Sequence, residues 1–109
     1  MSDVTIEKLM SKMPGAFVPE KAVGIDAVLQ FHLTGEEASD WIVTIKDGGC
    51  SVTQGVAENP KMTLSADSQD YKGVILGNIN GMNAFMDGKL QLSGDLNLAM
   101  KLTSMFKMN

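Results

Sequence analysis

Apolar residues recur along this chain at two different spacings, and each change of spacing marks a new element. Over residues 6–13 they return every three or four positions, with charged residues between them. That period is typical of an amphipathic helix that packs on the body of a domain. Ser2 or Asp3 is the predicted cap of this helix, and Pro14-Gly15 is predicted to end it.

Strict alternation follows. Between residues 27 and 33 the odd positions are apolar, which predicts a strand with one buried face. The β-rich run at 41–46 predicts a second strand, and Asp47-Gly48-Gly49 predicts a hairpin turn that needs positive φ angles. Shorter strands are expected at 50–54 and 62–65, with a loop over 55–61 between them.

The second half of the chain returns to helical spacing. Asp67 or Ser68 is predicted to cap a helix that runs to about residue 76, and Gly77 follows it. A shorter helix is predicted from Asn80 or Gly81 through residue 86, then a strand over 89–92. The final helix, predicted over 96–106 with Asp95 as its cap, is apolar around most of its circumference. This order predicts an α+β fold in one domain, residues 1–109, with helices over one face of a mostly antiparallel sheet.

Composition excludes several classes of function. Net charge is -4, and all nine basic residues are scattered lysines, so the chain offers no basic footprint for nucleic acid. The N-terminus resembles no signal peptide, and no apolar run is long enough to span a membrane, so a cytoplasmic protein without integral membrane association is expected.

Residues that could carry catalysis are few. His32 is the only histidine and lies inside a strand pattern, and Cys50 is the only cysteine and has no second thiol. These residues favour neither a catalytic site nor a metal site, and no cofactor is expected. A small enzyme that uses His32 or a pair of acidic residues is the third-ranked hypothesis.

Methionine is abundant, with nine in 109 residues, and several lie in the two last helices. Thioether side chains are flexible and polarizable, so they suit a surface that adapts to apolar ligands of varied shape. The same pattern is also typical of an ordinary core, and an apolar final helix could instead dock on another protein or on a second copy. The residues alone leave these readings open.

Several motifs come in a characteristic order that resembles the sterol-carrier-protein-2 (sterol-binding) domain family over about residues 17–106. The last two are the most specific. The motifs are Phe17-x-Pro19-x-x-Ala22, Gln30-Phe31-x-Leu33-Thr34-Gly35, Trp41-x-Val43-x-Ile45-x-Asp47-Gly48, Gly55, Ala84-Phe85-Met86-x-Gly88-Lys89-Leu90 and Gly94-Asp95-x-x-Leu98-Ala99-Met100-Lys101-Leu102.

This resemblance implies a twisted, five-stranded, mainly antiparallel sheet with an apolar tunnel between sheet and helices. It implies non-catalytic binding, and by extension transfer, of fatty acids, acyl-CoAs, phospholipids or sterols. Transient membrane contact and a homodimer are compatible with it. The alternative function is a non-catalytic interaction or oligomerisation module that uses the Met-rich C-terminal helix. By position in the family pattern, the residues expected to line the tunnel are Phe31, Trp41, Ile75, Met82, Phe85, Met86, Met100, Leu102 and Phe106.

Overall fold

The computed structural model describes residues 5–105, without the side chains of residues 102–104. The predicted caps Ser2 and Asp3 therefore lie outside the described residues. Short 3₁₀ turns occupy Pro19–Lys21 and Gly35–Glu37. The helices and strands are α1 (Ile6–Ala16), β1 (Ala27–Thr34), β2 (Ser39–Lys46), β3 (Gly49–Gln54), β4 (Met62–Asp67), α2 (Ser68–Ile75), α3 (Gly81–Met86), β5 (Leu90–Gly94) and α4 (Leu96–Met105).

The five strands form one sheet in the order β3-β2-β1-β4-β5. Three of the four neighbouring pairs are antiparallel, and the central pair, β1 with β4, is parallel. The α+β class and the mainly antiparallel five-stranded sheet are thus confirmed. The parallel pair arises because the chain crosses from the β3 edge over the sheet to reach β4.

The sheet buries one face. The odd-numbered residues of β1 are buried as predicted, and so are most of their partners on the neighbouring strands. One cross-strand row on the buried face shows this pattern, since Phe31 pairs with Trp41 on β2 and with Leu64 on β4, and Leu64 pairs with Leu92 on β5. Helices α2 and α4 pack against strands of this sheet, so the hydrophobic core lies between the sheet and the helices.

Each of the helices α1 to α4 is preceded by a capping residue whose side chain accepts a hydrogen bond from a backbone N–H of the first turn. The sequence predicts the caps of α2, α3 and α4. In α1 the cap is Thr5. Lys8 N donates to Thr5 Oγ1 (3.2 Å) and Gln69 N to Asp67 Oδ1 (2.8 Å). Asn83 N donates to Asn80 Oδ1 (3.1 Å) and Leu98 N to Asp95 Oδ1 (3.1 Å).

Helix α1 does not end where the sequence predicts. It continues through Pro14 to Ala16, and the N–H of Phe17 then donates to the Pro14 carbonyl at 3.4 Å. Proline removes one hydrogen bond from the helix interior, but Pro14 lies near the C-terminus, where only one further turn is affected. The predicted hairpin is confirmed, because Asp47 (φ 53°) and Gly48 (φ 75°) both take the positive φ of a type I′ turn between β2 and β3.

Gln30 is a buried polar residue on the sheet face opposite the helices. Its amide nitrogen donates to the carbonyls of Gly55 (3.1 Å) and Trp41 (3.2 Å), and its Oε1 accepts from Ala57 N at 2.7 Å. Gly55 and Ala57 belong to the crossover from β3 to β4. Gln30 therefore fixes the path of this crossover over the sheet.

We expect Gln30→Leu to lower the free energy of unfolding by about 1–3 kcal/mol, because it leaves the partly buried Ala57 N–H and Gly55 carbonyl without their partner. Chemical denaturation measures the change. Gln91→Leu is the matched control, since Gln91 is exposed on β5, on the same sheet face, and should shift stability by less than about 0.5 kcal/mol. Equal effects of the two substitutions would show that the Gln30 bonds contribute nothing.

Glu37 joins three elements. Its Oε1 accepts from the backbone N–H of Ile6 at the start of α1 (2.9 Å), and its Oε2 forms an ion pair with Lys72 of α2. Its own N–H donates to the hydroxyl of Ser68 at 3.1 Å. The hydrogen bond from Lys72, followed by that from Ile6, holds the pKa of Glu37 below its usual value of 4.5.

A lowered pKa in the folded state means that Glu37 contributes stability above its unfolded pKa and loses that contribution as the pH falls through its folded pKa. We expect Glu37→Gln to reduce stability at pH 7 and to remove part of the stability loss seen on acidification below about 4.5. Denaturation curves between pH 3 and 7 test this. Glu36→Gln, a change at the exposed neighbour, should leave the acid limb as in the parent protein. An unaltered pH profile in Glu37→Gln would refute this role.

Candidate functional site: an apolar cavity between sheet and helices

A cavity of about 600 Å³ lies between the buried face of the sheet and the helices. That volume is within the range of small-molecule sites in proteins. It is lined by Met13, Phe31, Leu64, Tyr71, Val74, Ile75, Asn80, Gly81, Met82, Phe85, Leu90, Leu92, Leu96, Ala99 and Met100.

The sheet supplies the floor of the cavity. Phe31 of β1, Leu64 of β4 and Leu92 of β5 lie in one cross-strand row, and Leu90 lies two residues before Leu92 on the same face. Because side chains alternate between the faces of a strand, these four all point toward the helices. The floor therefore lies at the β1-β4-β5 side of the sheet, away from β2 and β3.

The helices supply the walls. Each contributes residues three or four positions apart, which share one face of a helix. Residues of these helix faces line the cavity together with Met13 of α1. They are Tyr71, Val74 and Ile75 on α2, Met82 and Phe85 on α3, and Leu96, Ala99 and Met100 on α4.

The cavity has a closed end and an open mouth. Met13, Phe31, Leu64 and Tyr71 are buried and close the inner end. At the other end, four lining side chains are exposed to solvent: Met82 by 61%, Phe85 by 43%, Leu96 by 51% and Met100 by 72%. These four side chains belong to α3 and α4, which therefore border the open side of the cavity.

Tyr71 stands at the inner end. Its ring makes an edge-to-face contact with Phe31, with centroids 5.8 Å apart and planes at 86°. Its hydroxyl donates toward the sulfur atoms of Met10 (3.7 Å) and Met13 (3.9 Å), which are weak acceptors. Burial raises the pKa of Tyr71 above its usual range, so the phenol stays neutral.

Polar groups are scarce on the cavity wall. Apart from the Tyr71 hydroxyl, the lining includes one polar side chain, Asn80, and its Oδ1 already caps α3. Among the residues that the structure describes, none of those lining the cavity carries a charge, and Lys89 and Lys101 are exposed residues outside the lining. Because an unpaired charge is costly to bury, the cavity suits hydrocarbon, with any ionised head group left at the mouth.

Five residues that the sequence predicts for the tunnel line this cavity, namely Phe31, Ile75, Met82, Phe85 and Met100. Trp41 and Met86 lie elsewhere. Trp41 is buried in the same cross-strand row as Phe31, but on β2, one strand away from the cavity. Its indole N–H donates to Ser39 Oγ at 2.8 Å. Met86 is 75% exposed at the end of α3. The side chain of Leu102, and the whole of Phe106, lie outside the described residues.

Sequence reasoning missed most of the sheet floor and part of the helix faces. The missed signals were present in the chain. Leu90 and Leu92 alternate with polar residues on β5, and Tyr71 and Val74 share a helix face with the predicted Ile75. Which apolar face meets empty space and which meets packed atoms depends on tertiary contacts that spacing alone does not report.

The residues considered for catalysis lie away from the cavity lining. His32 is exposed on the opposite sheet face, where its Nδ1 is 2.5 Å from Asp40 Oδ1. Burial raises the pKa of the Cys50 thiol to about 11, so it is a poor nucleophile at neutral pH. Over the described part of the chain, no group of three or more His, Cys, Asp or Glu side chains could hold a metal ion.

Comparison with protein families decides the relationship. Residues 6–107 match the model of the SCP-2 sterol transfer family. The chain belongs to this family. The resemblance seen in the sequence motifs is thereby confirmed, and with it membership of a family of lipid-binding domains that are generally non-catalytic.

Two individual proteins show the same family relationship. The chain is 32% identical over 106 residues to hydroxysteroid dehydrogenase-like protein 2 of Danio rerio, covering 94% of this chain and 25% of that protein. It is 31% identical over 100 residues to sterol carrier protein 2 of Homo sapiens, covering 92% of this chain and 18% of that protein. The chain thus spans a quarter or less of these relatives, some of which carry the SCP-2 domain as one part of a larger enzyme.

A solved structure has the same fold over nearly the whole of both chains. The solution structure of palmitated SCP2L2 from Aedes aegypti superposes with a TM-score of 0.78 at 27% identity, covering 93% of both chains. Helices of the SCP-2 domain here are short, and within residues 5–105 none has the length and hydropathy needed to cross a membrane.

Proposed function

We propose that this SCP-2 domain, residues 1–109 as one unit, reversibly binds the acyl chain of a lipid in the cavity and transfers it between sites. The observation that supports this proposal best is an uncharged, apolar cavity of about 600 Å³ with an open, apolar mouth. Candidate ligands are a fatty acid, an acyl-CoA, a phospholipid or a sterol. Phe31, Ile75, Met82, Phe85 and Met100 are the proposed binding residues among those predicted, and Leu102 and Phe106 remain predictions.

Hydrocarbon burial alone can supply the affinity. Each methylene removed from water contributes about 0.8 kcal/mol, so eight buried methylenes contribute about 6 kcal/mol before the costs of association. Affinity then requires no specific polar contact with the ligand. The described lining fits this, because Tyr71 and Asn80 are its two polar side chains among fifteen residues. Such a site distinguishes ligands by the length and width of the chain more than by the head group.

A fatty acid is the ligand to test first. The Aedes aegypti protein that shares 27% identity with this chain was solved in a palmitated form. A single saturated chain also fits the geometry described above, since it needs one apolar inner end and one opening. The ionised carboxylate would stay in solvent outside the mouth, beyond Met82 and Met100, which the hydrocarbon chain would cover.

Release of a bound chain requires that the mouth widens around it, and α3 and α4 are the elements that border the mouth. Helix α3 has only six residues and packs on β5 and α2. Short helices with few buried apolar contacts open at low free-energy cost. We therefore infer that exchange of the ligand proceeds by displacement of the Met-bearing helices, with no chemical step, in the cytoplasm and with transient membrane contact.

The alternative is an interaction or oligomerisation module that docks through α4. The exposed side chains of Leu96 and Met100 favour it, because they leave an apolar patch at the cavity mouth. Native mass spectrometry separates the two functions, since it reports bound lipid and subunit number together. A tight homodimer that takes up no lipid would favour the alternative.

Met100→Glu should weaken the binding of palmitate at least tenfold, because it places a carboxylate on the wall of the cavity at its mouth. Competition with a fluorescent long-chain fatty acid measures the affinity. Asn97→Glu is the matched control, since it adds the same charge to the exposed side of the same helix and should bind as the parent does. A folded parent protein that binds no palmitate, acyl-CoA or sterol would overturn the proposed function.

A further inference from the structure

We propose that Met82 and Met100 are sites of sulfoxidation, and that their oxidation by a peroxide lowers the affinity of the cavity for hydrocarbon. This inference rests on the proposed function, because it concerns the same cavity. It adds a chemical modification at two named sulfur atoms.

Methionine exposure in this domain is sharply divided. Met82, Met86 and Met100 are exposed by 61%, 75% and 72%, whereas the other four methionines between residues 5 and 105 are at most 3% exposed. Those four are Met10, Met13, Met62 and Met105. Because oxidation of a thioether requires access of the oxidant, the three exposed sulfur atoms should react first.

The reaction needs no group from the protein other than the thioether. A lone pair of the sulfur attacks one oxygen of hydrogen peroxide, a sulfur–oxygen bond forms and the peroxide O–O bond breaks. Proton transfer yields one sulfoxide and one water. The sulfur is oxidised by two electrons and the peroxide is reduced by two, and the sulfoxide can be reduced again by a methionine sulfoxide reductase.

The position of each exposed methionine relative to the cavity determines whether its oxidation affects ligand binding. Met82 and Met100 line the cavity on α3 and α4, so a polar, hydrogen-bonding sulfoxide at either place lies against the bound chain. Burying that group under hydrocarbon costs free energy, whereas a thioether costs none. Met86 is equally exposed but lies outside the lining, so its sulfoxide stays in water with or without ligand.

The first test is a footprint. The lipid-free protein is treated with hydrogen peroxide with and without palmitate, and peptide mass spectrometry follows each methionine over time. We expect palmitate to slow oxidation at Met82 and Met100 at least threefold and to leave the rate at Met86 unchanged. Equal protection at all three positions, or none, would overturn the assignment.

The second test is affinity after oxidation. We expect peroxide treatment to weaken binding of the fluorescent fatty acid about tenfold in the parent protein and equally in Met86→Leu. In Met82→Leu/Met100→Leu, the ratio of affinities before and after oxidation should fall close to one. Circular dichroism of the oxidised protein checks that the fold persists.

The outcomes separate the two proposals. If the untreated, folded protein binds no fatty acid, the proposed function fails, and this inference fails with it. If the untreated protein binds and oxidation at Met82 and Met100 leaves the affinity unchanged, only the present inference is overturned.

Discussion

Leu92→Trp should abolish tight binding of palmitate, with a loss of affinity of more than tenfold, while the domain stays folded. Leu92 is half-buried on β5, on the floor of the cavity opposite the helices. A tryptophan at this position projects into the space of about 600 Å³ that the acyl chain would occupy. Aromatic residues are favoured in strands, and the extra volume enters empty space, so we expect little loss of stability.

Ser93→Trp provides the control, because Ser93 is the next residue of the same strand and lies exposed on the opposite sheet face. It introduces the same side chain outside the cavity and should bind palmitate as the parent does. Calorimetry or native mass spectrometry is the suitable readout, since a second tryptophan alters the fluorescence. Undiminished palmitate binding by a folded Leu92→Trp protein would place the lipid somewhere other than this cavity.

Gly94→Ala should strongly destabilise the domain, lowering the free energy of unfolding by about 3 kcal/mol. Gly94 ends β5 at a φ of 89°, and an added Cβ would collide with the backbone carbonyl of Lys61 and come within 3.1 Å of the Met62 Cα. Neither neighbour is a flexible side chain, so the strands themselves must separate. Because Asp95 then caps α4, the displacement would also reach the cavity wall and weaken lipid binding.

Gly88→Ala isolates the two contributions to that loss. Gly88 has a similar φ of 80°, but an added Cβ there meets nothing within 4 Å. It should cost only the conformational penalty of about 1–2 kcal/mol for a left-handed residue with a side chain. Urea denaturation of the pair gives the difference, and equal losses would show that the close approach of β4 and β5 is unimportant.

Local chemistry made much of the fold predictable. The hairpin turn at Asp47-Gly48 and the caps of α2, α3 and α4 depend on local residue types, and these located them in the sequence. The end of β4 differed from its prediction because of a segment distant in sequence. Strand β4 runs to Asp67, two residues past the prediction, because its parallel pairing with β1 extends that far, to Thr34.

The site was less predictable than the fold. Helical spacing placed Met82 and Phe85 on one apolar surface together with Met86, yet only the first two line the cavity. Trp41 was predicted for the tunnel from its position in the family pattern, and it lies one strand away from the cavity. A sequence reports which residues avoid water, whereas the position of a cavity depends on how far apart the covering helices stand.

The cavity is lined by residues from both α1 and α4, and this determines when it can form during synthesis. The N–H of Val18 donates to the carbonyl of Met105 at 2.7 Å, joining the segment after α1 to the last turn of α4. Met13 lies at the closed end of the cavity, and Ala99 and Met100 of α4 line it at another side. During synthesis the β2-β3 hairpin can form early, whereas the cavity is complete only after α4 has docked, so we expect the proposed lipid binding only once α4 has been made.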